Sequence, residues 1–299
     1  MNISLKNKSN LFLLFVIILG IIIIIFNYLP LKQYENFESK TKDFTTYNNN
    51  TIYNEFYVTI YDDLVYSKIK NDYEVGKIIQ STSPNEHSIV LDIGSGTGHH
   101  VKMFTEKKIQ VVGLDKSKEM IKLSETNFPE CTFKEGDMMD SLTFSPDTFT
   151  HITCFYFTIY YTKNKTLFFQ NCYRWLKPGG YCIIHVVDPT MFNPMLNNPL
   201  LYISPQRYAP KRITETKLIF NNMTYKSNFE YLPEQEKAIF HEKFIHKDKV
   251  RKNEHTLYME DAQKIMTMAE YQGFITHGFI DLINCGYEYQ YLYVFVKPN

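Results

Sequence analysis

Val90-Leu91-Asp92-Ile93-Gly94-Ser95-Gly96-Thr97-Gly98 runs from aliphatic residues through one acid into glycines at every second position, and the pattern turns helical directly afterwards. That order reads as a strand, a tight turn and a helix N-terminus. Glycines in such a turn let the backbone take positive φ and let a ligand lie against bare peptide groups, with the free N–H groups of the next helix pointing at it. The stretch is therefore a nucleotide-type cradle. The dinucleotide fingerprint G-x-G-x-x-G is excluded, because the third glycine comes one residue early and His99 stands where it would be needed. A phosphate loop is excluded as well, since no Gly-Lys-Ser/Thr follows.

The G-x-G-x-G spacing resembles motif I of the class I S-adenosylmethionine (SAM) dependent methyltransferases. Val111-Val112-Gly113-Leu114-Asp115 reads as a second buried strand ending in an acid, where that family uses a carboxylate to accept both ribose hydroxyls. Gly136-Asp137-Met138 is similar to its adenine-binding turn, and Leu176-Lys177-Pro178-Gly179-Gly180 to its turn before the fifth strand. Each piece alone has a plainer reading: Asp115 as a solvated strand end, Lys177-Pro178-Gly179-Gly180 as a generic turn. Together, in this order, the resemblance implies SAM as cofactor. It assigns Asp92, Gly94, Ser95, Gly96, Gly98, Asp115, Lys116, Asp137, Met138 and Cys154 to the cofactor site. One departure stands out. Where the family usually has an acid after the Phe that opens the fourth strand, this chain has Thr150.

Lys plus Arg and Asp plus Glu both total 32, so the net charge of zero offers no field for nucleic acid, and no nucleic-acid partner is expected. The five cysteines include no C-x-x-C pair, which points to reduced thiols and to no metal site.

At the amino end, Leu11 to Leu29 is apolar apart from Gly20, Asn27 and Tyr28, long enough as a helix to cross a bilayer and without a small-x-small cleavage site after it. Residues 1–31 are therefore expected to be a transmembrane anchor, with the membrane as partner through residues 11–29 and 32–52 as a polar linker. Flanking lysines do not decide the orientation. The SAM requirement and the reduced thiols place the catalytic domain on the cytosolic side of a single-pass membrane protein.

Residues 53–299 then form the catalytic domain. Tyr53 to Asp62 carries aromatics at helical spacing, and similar segments in related enzymes fold over the methionine end of the cofactor. Tyr57 and Tyr61 are the candidates, with core packing as the alternative. Strands are expected near 88–93, 110–115, 131–135, 149–155 and 181–187, alternating with helices at 98–107, 117–127 and 164–176. Strict alternation means a parallel sheet with helices on both faces and a ligand at the carboxyl ends of its strands. After Asp188-Pro189 the alternation stops, and short β-like stretches fill 189–256. A helix over 259–271 and strands near 274–283 and 288–296 complete an α/β, Rossmann-like, seven-stranded class I methyltransferase sheet, with a β-rich lid insertion between strands 5 and 6.

Methyl transfer from a sulfonium needs alignment more than side-chain chemistry, and a base only if the nucleophile arrives protonated. Asp188, directly after the fifth strand, is the candidate base, with an Asp-Pro turn as the alternative. Tyr160, beyond the fourth strand, is the second catalytic candidate. In the insertion, Arg207, Arg212 and Arg251 are candidate clamps for an acceptor carboxylate or phosphate, or else part of a mildly basic surface against an anionic membrane. The reading is a membrane-tethered SAM-dependent methyltransferase acting on a small-molecule or lipid-proximal acceptor. The alternatives are a protein or nucleic-acid methyltransferase and an inert SAM-binding scaffold.

Overall fold

The computed structural model describes residues 43–194, 212, 214–220 and 223–299. The apolar run 11–29 and Arg207 lie outside them. Among the described residues no helix is long and apolar enough to cross a membrane, so they give the single-pass membrane location expected above no support.

The chain enters as strand β1 (Asp43–Asn48) and continues through helices α1 (Glu55–Val65) and α2 (Lys68–Thr82). Then come β2 (Ile89–Ile93), α3 (His99–Glu106), β3 (Gln110–Asp115), α4 (Lys118–Asn127), β4 (Thr132–Glu135), β5 (Phe149–Cys154), α5 (Lys165–Trp175) and β6 (Leu176–Val187). Four long strands follow, β7 (Glu215–Phe220), β8 (Met223–Leu232), β9 (Lys237–His246) and β10 (Lys249–Tyr258). Helix α6 (Ala262–Tyr271) and strands β11 (Ile275–Asp281) and β12 (Gln290–Val296) close the domain.

The main sheet has seven strands in the order β11-β12-β6-β5-β2-β3-β4. Strands β2 to β6 are parallel, while β12 runs antiparallel to both β6 and β11. Strand β2 is central because it is apolar on both faces: Val90, Leu91 and Ile93 are all but inaccessible. Burying a side chain of that size contributes about 1.5–3 kcal/mol, so the strand that carries the glycine turn is also an anchor of the core. The chain order reverses between β3 and β5 on either side of β2, which opens the ligand crevice of such sheets beyond the carboxyl ends of those strands. Thr150, the departure noted above, ties β5 to β2. Its hydroxyl accepts the N–H of Ile89 at 2.9 Å and donates to the Ile89 carbonyl at 3.1 Å.

The segment after β6 forms a second sheet, ordered β1-β10-β9-β8-β7. Strands β7 to β10 pair antiparallel, and β1 adds to the free edge of β10 in parallel. Here the reading of 32–52 as a structureless linker fails over its second half. Thr45, Thr46 and Tyr47 are strong strand formers, and pairing with β10 gives their peptide groups partners that no alternating pattern announced. The following turn seats Ile52, fully buried, beside Tyr57, Leu64, Tyr225 and Phe244.

Candidate functional site

A cavity of about 630 Å³ lies at the ends of β2, β3 and β4. Gly94 and Gly96 form its floor. Both take positive φ, +70° and +53°, and a Cβ on Gly94 would meet the Thr158 side chain at 2.5 Å, whereas one on Gly96 would point toward the Tyr61 ring at 3.8 Å. Gly98, which caps α3, also takes positive φ, +90°, and a Cβ there would strike Phe133 at 2.7 Å.

Asp115 ends β3 on the cavity wall. Its Oδ2 accepts the N–H of Gly96 at 2.9 Å, and its Oδ1 accepts the N–H of Ser117 at 2.8 Å. Burial pushes its carboxyl above the ordinary value, while the N–H groups of Ser117, Gly96 and Lys116 draw it back. A carboxylate can accept about four hydrogen bonds, so capacity remains for ligand hydroxyls. Farther along the wall, Asp137 caps the N–H of Met139 and pairs with Lys116 at 2.9 Å. Burial raises the Asp137 carboxyl, but Lys116 and that N–H outweigh it and hold it below the ordinary value. Met138 completes this side, and Asn171 holds its carbonyl at 2.9 Å.

Tyrosines supply the opposite side. Tyr53, Tyr61 and Tyr161 line the cavity, with the Tyr53 ring centroid 6.2 Å from Tyr61 and 6.1 Å from Tyr161. Aromatic faces so placed can attract a cation, at about 0.5–2 kcal/mol.

Of the expected cofactor residues, the structure thus brings Gly94, Gly96, Asp115, Lys116, Asp137, Met138 and Tyr61 around one cavity. The others stand behind it. Asp92 is buried and receives the Thr153 hydroxyl at 2.8 Å, and burial pushes its carboxyl up to about 6 against the pull of His100 and Thr153. Ser95 is buried beneath the loop, with its Oγ 2.8 Å from where a Gly113 Cβ would stand. Cys154 is fully inside the core, and burial lifts its thiol far above the ordinary value. Tyr57 packs on Phe244 and Tyr225 rather than facing the cavity.

None of the described catalytic and clamp candidates lines the cavity. Asp188 uses its Oδ1 on the N–H and hydroxyl of Thr190, at 2.8 and 2.7 Å, and on the N–H of Met191 at 3.2 Å. These bonds form the Asp-Pro turn that the sequence reading held as the alternative. Tyr160 is fully buried, and its hydroxyl accepts the N–H of Val187 at 2.9 Å. Arg251 is consumed internally: it donates to Asn253, Asn54 and the Ile52 carbonyl and stacks over Tyr47 at 4.0 Å. Arg212 donates to the Thr190 carbonyl at 3.0 Å and lies between the rings of Phe192 and Phe229.

The sequence reading missed Tyr53, Thr158, His255 and Glu242. The last two had a signal. Glu242 in β9 and His255 in β10, with Asn253 beside them, are buried at positions where a packed strand calls for apolar side chains.

Residues 90–180 match the family described as a methyltransferase domain. A dTDP-4-amino-2,3,4,6-tetradeoxy-D-glucose N,N-dimethyltransferase from Saccharopolyspora spinosa is 30% identical over 149 residues, covering 48% of this chain and 57% of the relative. The phosphoethanolamine N-methyltransferase of Plasmodium falciparum is 29% identical over 120 residues, covering 36% of this chain and 42% of the relative. The chain thus spans about half the length of the curated relatives it matches. Among solved structures, a SAM-dependent methyltransferase from Clostridium acetobutylicum superposes with a TM-score of 0.62 at 16% identity, over 82% of this chain and 98% of that one. SAM-bound CalS10, an amino pentose methyltransferase from Micromonospora echinaspora, gives 0.57 at 16% identity, over 82% and 98%. These similarities agree with the geometry. Residues 90–180 carry a methyltransferase domain, within a Rossmann-like α/β fold shared with SAM-dependent methyltransferases.

Proposed function

We propose that the protein transfers a methyl group from SAM to an amine of a small molecule. The observation that carries this reading is the two-sided cavity, with Asp115 and bare glycine backbone on one wall and Tyr53, Tyr61 and Tyr161 on the other. SAM brings a methyl group already activated on a sulfonium. Asp115, fixed by Gly96 and Ser117, holds the ribose, and Met138 with Asp137 flanks the adenine. The tyrosine rings face the methionine end and the acceptor, where their π-faces favour cationic groups. The second sheet, whose Tyr258 reaches the cavity, closes the acceptor side and excludes water. In this reading the catalytic unit comprises residues 43–299, with the lid running from Pro189 to Thr256.

An amine acceptor is supported by the relatives named as N-methyltransferases of amino sugars and of phosphoethanolamine. The test is incubation of the protein with SAM and a panel of a dTDP-aminodeoxysugar, phosphoethanolamine and a peptide with a free N-terminus. S-adenosylhomocysteine should form together with an acceptor heavier by one methyl. Tight SAM binding without turnover on any acceptor would favour the inert-scaffold reading, and turnover of the peptide alone a protein substrate.

A further inference from the structure

Behind the tyrosine wall a chain of hydrogen bonds runs from the cavity into the second sheet. The Tyr53 hydroxyl donates to that of Tyr161 at 2.9 Å, and Tyr161 lies 2.7 Å from Nδ1 of His255. On the far side of the ring, Nε2 is 2.8 Å from Oε2 of Glu242. Glu242 is itself buried and receives the Tyr225 hydroxyl and the Asn253 amide, both at 2.9 Å. A carboxylate only accepts, so the proton of the imidazole sits on Nε2 and Nδ1 is left to accept from Tyr161. The direction of the chain is therefore set: hydroxyl protons point from the cavity toward His255.

From this geometry, and resting on the amine acceptor proposed above, we infer that Tyr161, His255 and Glu242 form a proton relay that takes a proton from an ammonium acceptor before methyl transfer. Tyr161 touches the acceptor, while His255 and Glu242 act through it. The acceptor N–H proton passes to the Tyr161 oxygen as the Tyr161 proton moves to Nδ1 of His255. The freed nitrogen lone pair then forms the N–C bond, the C–S bond breaks and its electron pair stays on sulfur. One proton per turnover is left on His255 and returns to water when products leave.

The surroundings suit that task. Burial holds the hydroxyls of Tyr53 and Tyr161 far above their ordinary values, so both stay protonated and serve as conduits rather than as bases. Burial also raises the Glu242 carboxyl, but His255, Asn253 and Tyr57 outweigh it, so a negative charge remains behind the imidazole. The titratable groups facing His255 are Glu242 from β9, Tyr161 and Tyr53 from the cavity wall and Tyr57 from α1. Tyr225 and Arg251 act on it through Glu242. An ordinary structural His–Glu pair would not need two hydroxyls leading from it to a cavity.

The experiment uses the panel amine that the wild type methylates fastest and its aminooxy analogue, whose nitrogen is unprotonated at neutral pH. In Tyr161→Phe and His255→Gln, kcat on the amine should fall about a hundredfold at neutral pH and recover as pH rises, with SAM affinity unchanged. The aminooxy acceptor, which brings no proton to remove, should lose far less. Equal losses on both acceptors, or no recovery at high pH, would overturn the relay. Nitrogen NMR of the wild type gives a reading free of activity and of variant folding: the His255 proton belongs on Nε2, and finding it on Nδ1 would reverse the chain and end the proposal. A wild type that methylates no amine sinks the acceptor reading and this inference with it. A wild type that does so while both variants remain indifferent sinks this inference alone.

Discussion

The backbone N–H of Gly96 donates to Oδ2 of Asp115 at 2.9 Å, so the glycine turn after β2 and the acid at the end of β3 are one unit. Neither half can be altered without the other. Asp115→Ala removes the carboxylate that fixes the turn and whatever hydrogen bonds it gives a ligand, each worth about 1.5–3 kcal/mol when charged. Calorimetry should show SAM binding weakened by well over about tenfold with the fold retained. Gly96→Val puts a branched side chain at positive φ on the cavity floor and should abolish binding; normal affinity in either variant would show that the loop does something else.

Gly94 makes a different prediction, because its obstacle is a named side chain. Gly94→Ala carries its Cβ into Thr158 at 2.5 Å and adds the strain of an L-residue at φ +70°, about 1–2 kcal/mol. Thermal unfolding should fall clearly. Adding Thr158→Ala removes the collision but not the backbone strain, so the double variant should regain part of the loss. A double variant no better than Gly94→Ala would place the damage elsewhere.

A buried polar cluster under α2 and β6 governs acid stability. Burial raises the Glu74 carboxyl, but Lys70 at 2.5 Å and His100 at 3.0 Å outweigh it and bring it down to about 2. Its stabilisation is complete above the ordinary carboxylate range and is lost as pH falls through about 2. His185 is lowered to about 4, first by burial and then by Lys70, so the fold prefers it neutral. That contribution is full above the ordinary imidazole value and disappears as pH falls through about 4. Asp92 works the other way: raised to about 6 by burial, it favours the fold below the ordinary carboxylate value and stops doing so as pH rises through about 6. Urea midpoints should therefore decline on acidification and drop most steeply below about pH 4, where only the losses remain. Asp92→Asn should raise the midpoint at pH 7 to 8 and leave it nearly unchanged at pH 4; no gain at neutral pH would contradict the charge state assigned to it.

The sheet and the glycine turn were readable because each rests on a local rule. A buried parallel strand is a short apolar run, and a turn at positive φ asks for glycine within a few residues. Asp188 left a base and an Asp-Pro turn both open, because position after a strand does not say what an oxygen accepts; Thr190 and Met191, two and three residues on, bond to its Oδ1. Cys154 was misread because its strand is buried on both faces, so the end of the strand is not the edge of the cavity. His255 and Glu242 escaped because their meaning depends on Tyr161, 94 residues away from His255 along the chain. No spacing rule reaches that far.

Strand β1 was hidden for the same reason, and it carries the last prediction. Its peptide groups pair with β10 from Lys249 to Glu254, and Asn49 continues the ladder with its side chain, donating to the Thr256 carbonyl at 2.8 Å and accepting the Thr256 N–H at 2.9 Å. Arg251 grips the same segment through the Ile52 carbonyl and Asn54, both at 2.7 Å. A chain beginning at Tyr53, the start that periodicity alone suggests, would leave the β10 edge unpaired and the Arg251 guanidinium short of one acceptor. Each orphaned buried polar group costs about 1–3 kcal/mol. Compared with a chain beginning at Asp43, it should lose amide protection across β10 while β2, β3 and β5 in the other sheet keep theirs. Asn49→Ala should reproduce a milder form of this, opening Thr256 alone. If hydrogen exchange across β10 is the same in all three proteins, β1 is an ornament on that edge and the domain does begin at Tyr53.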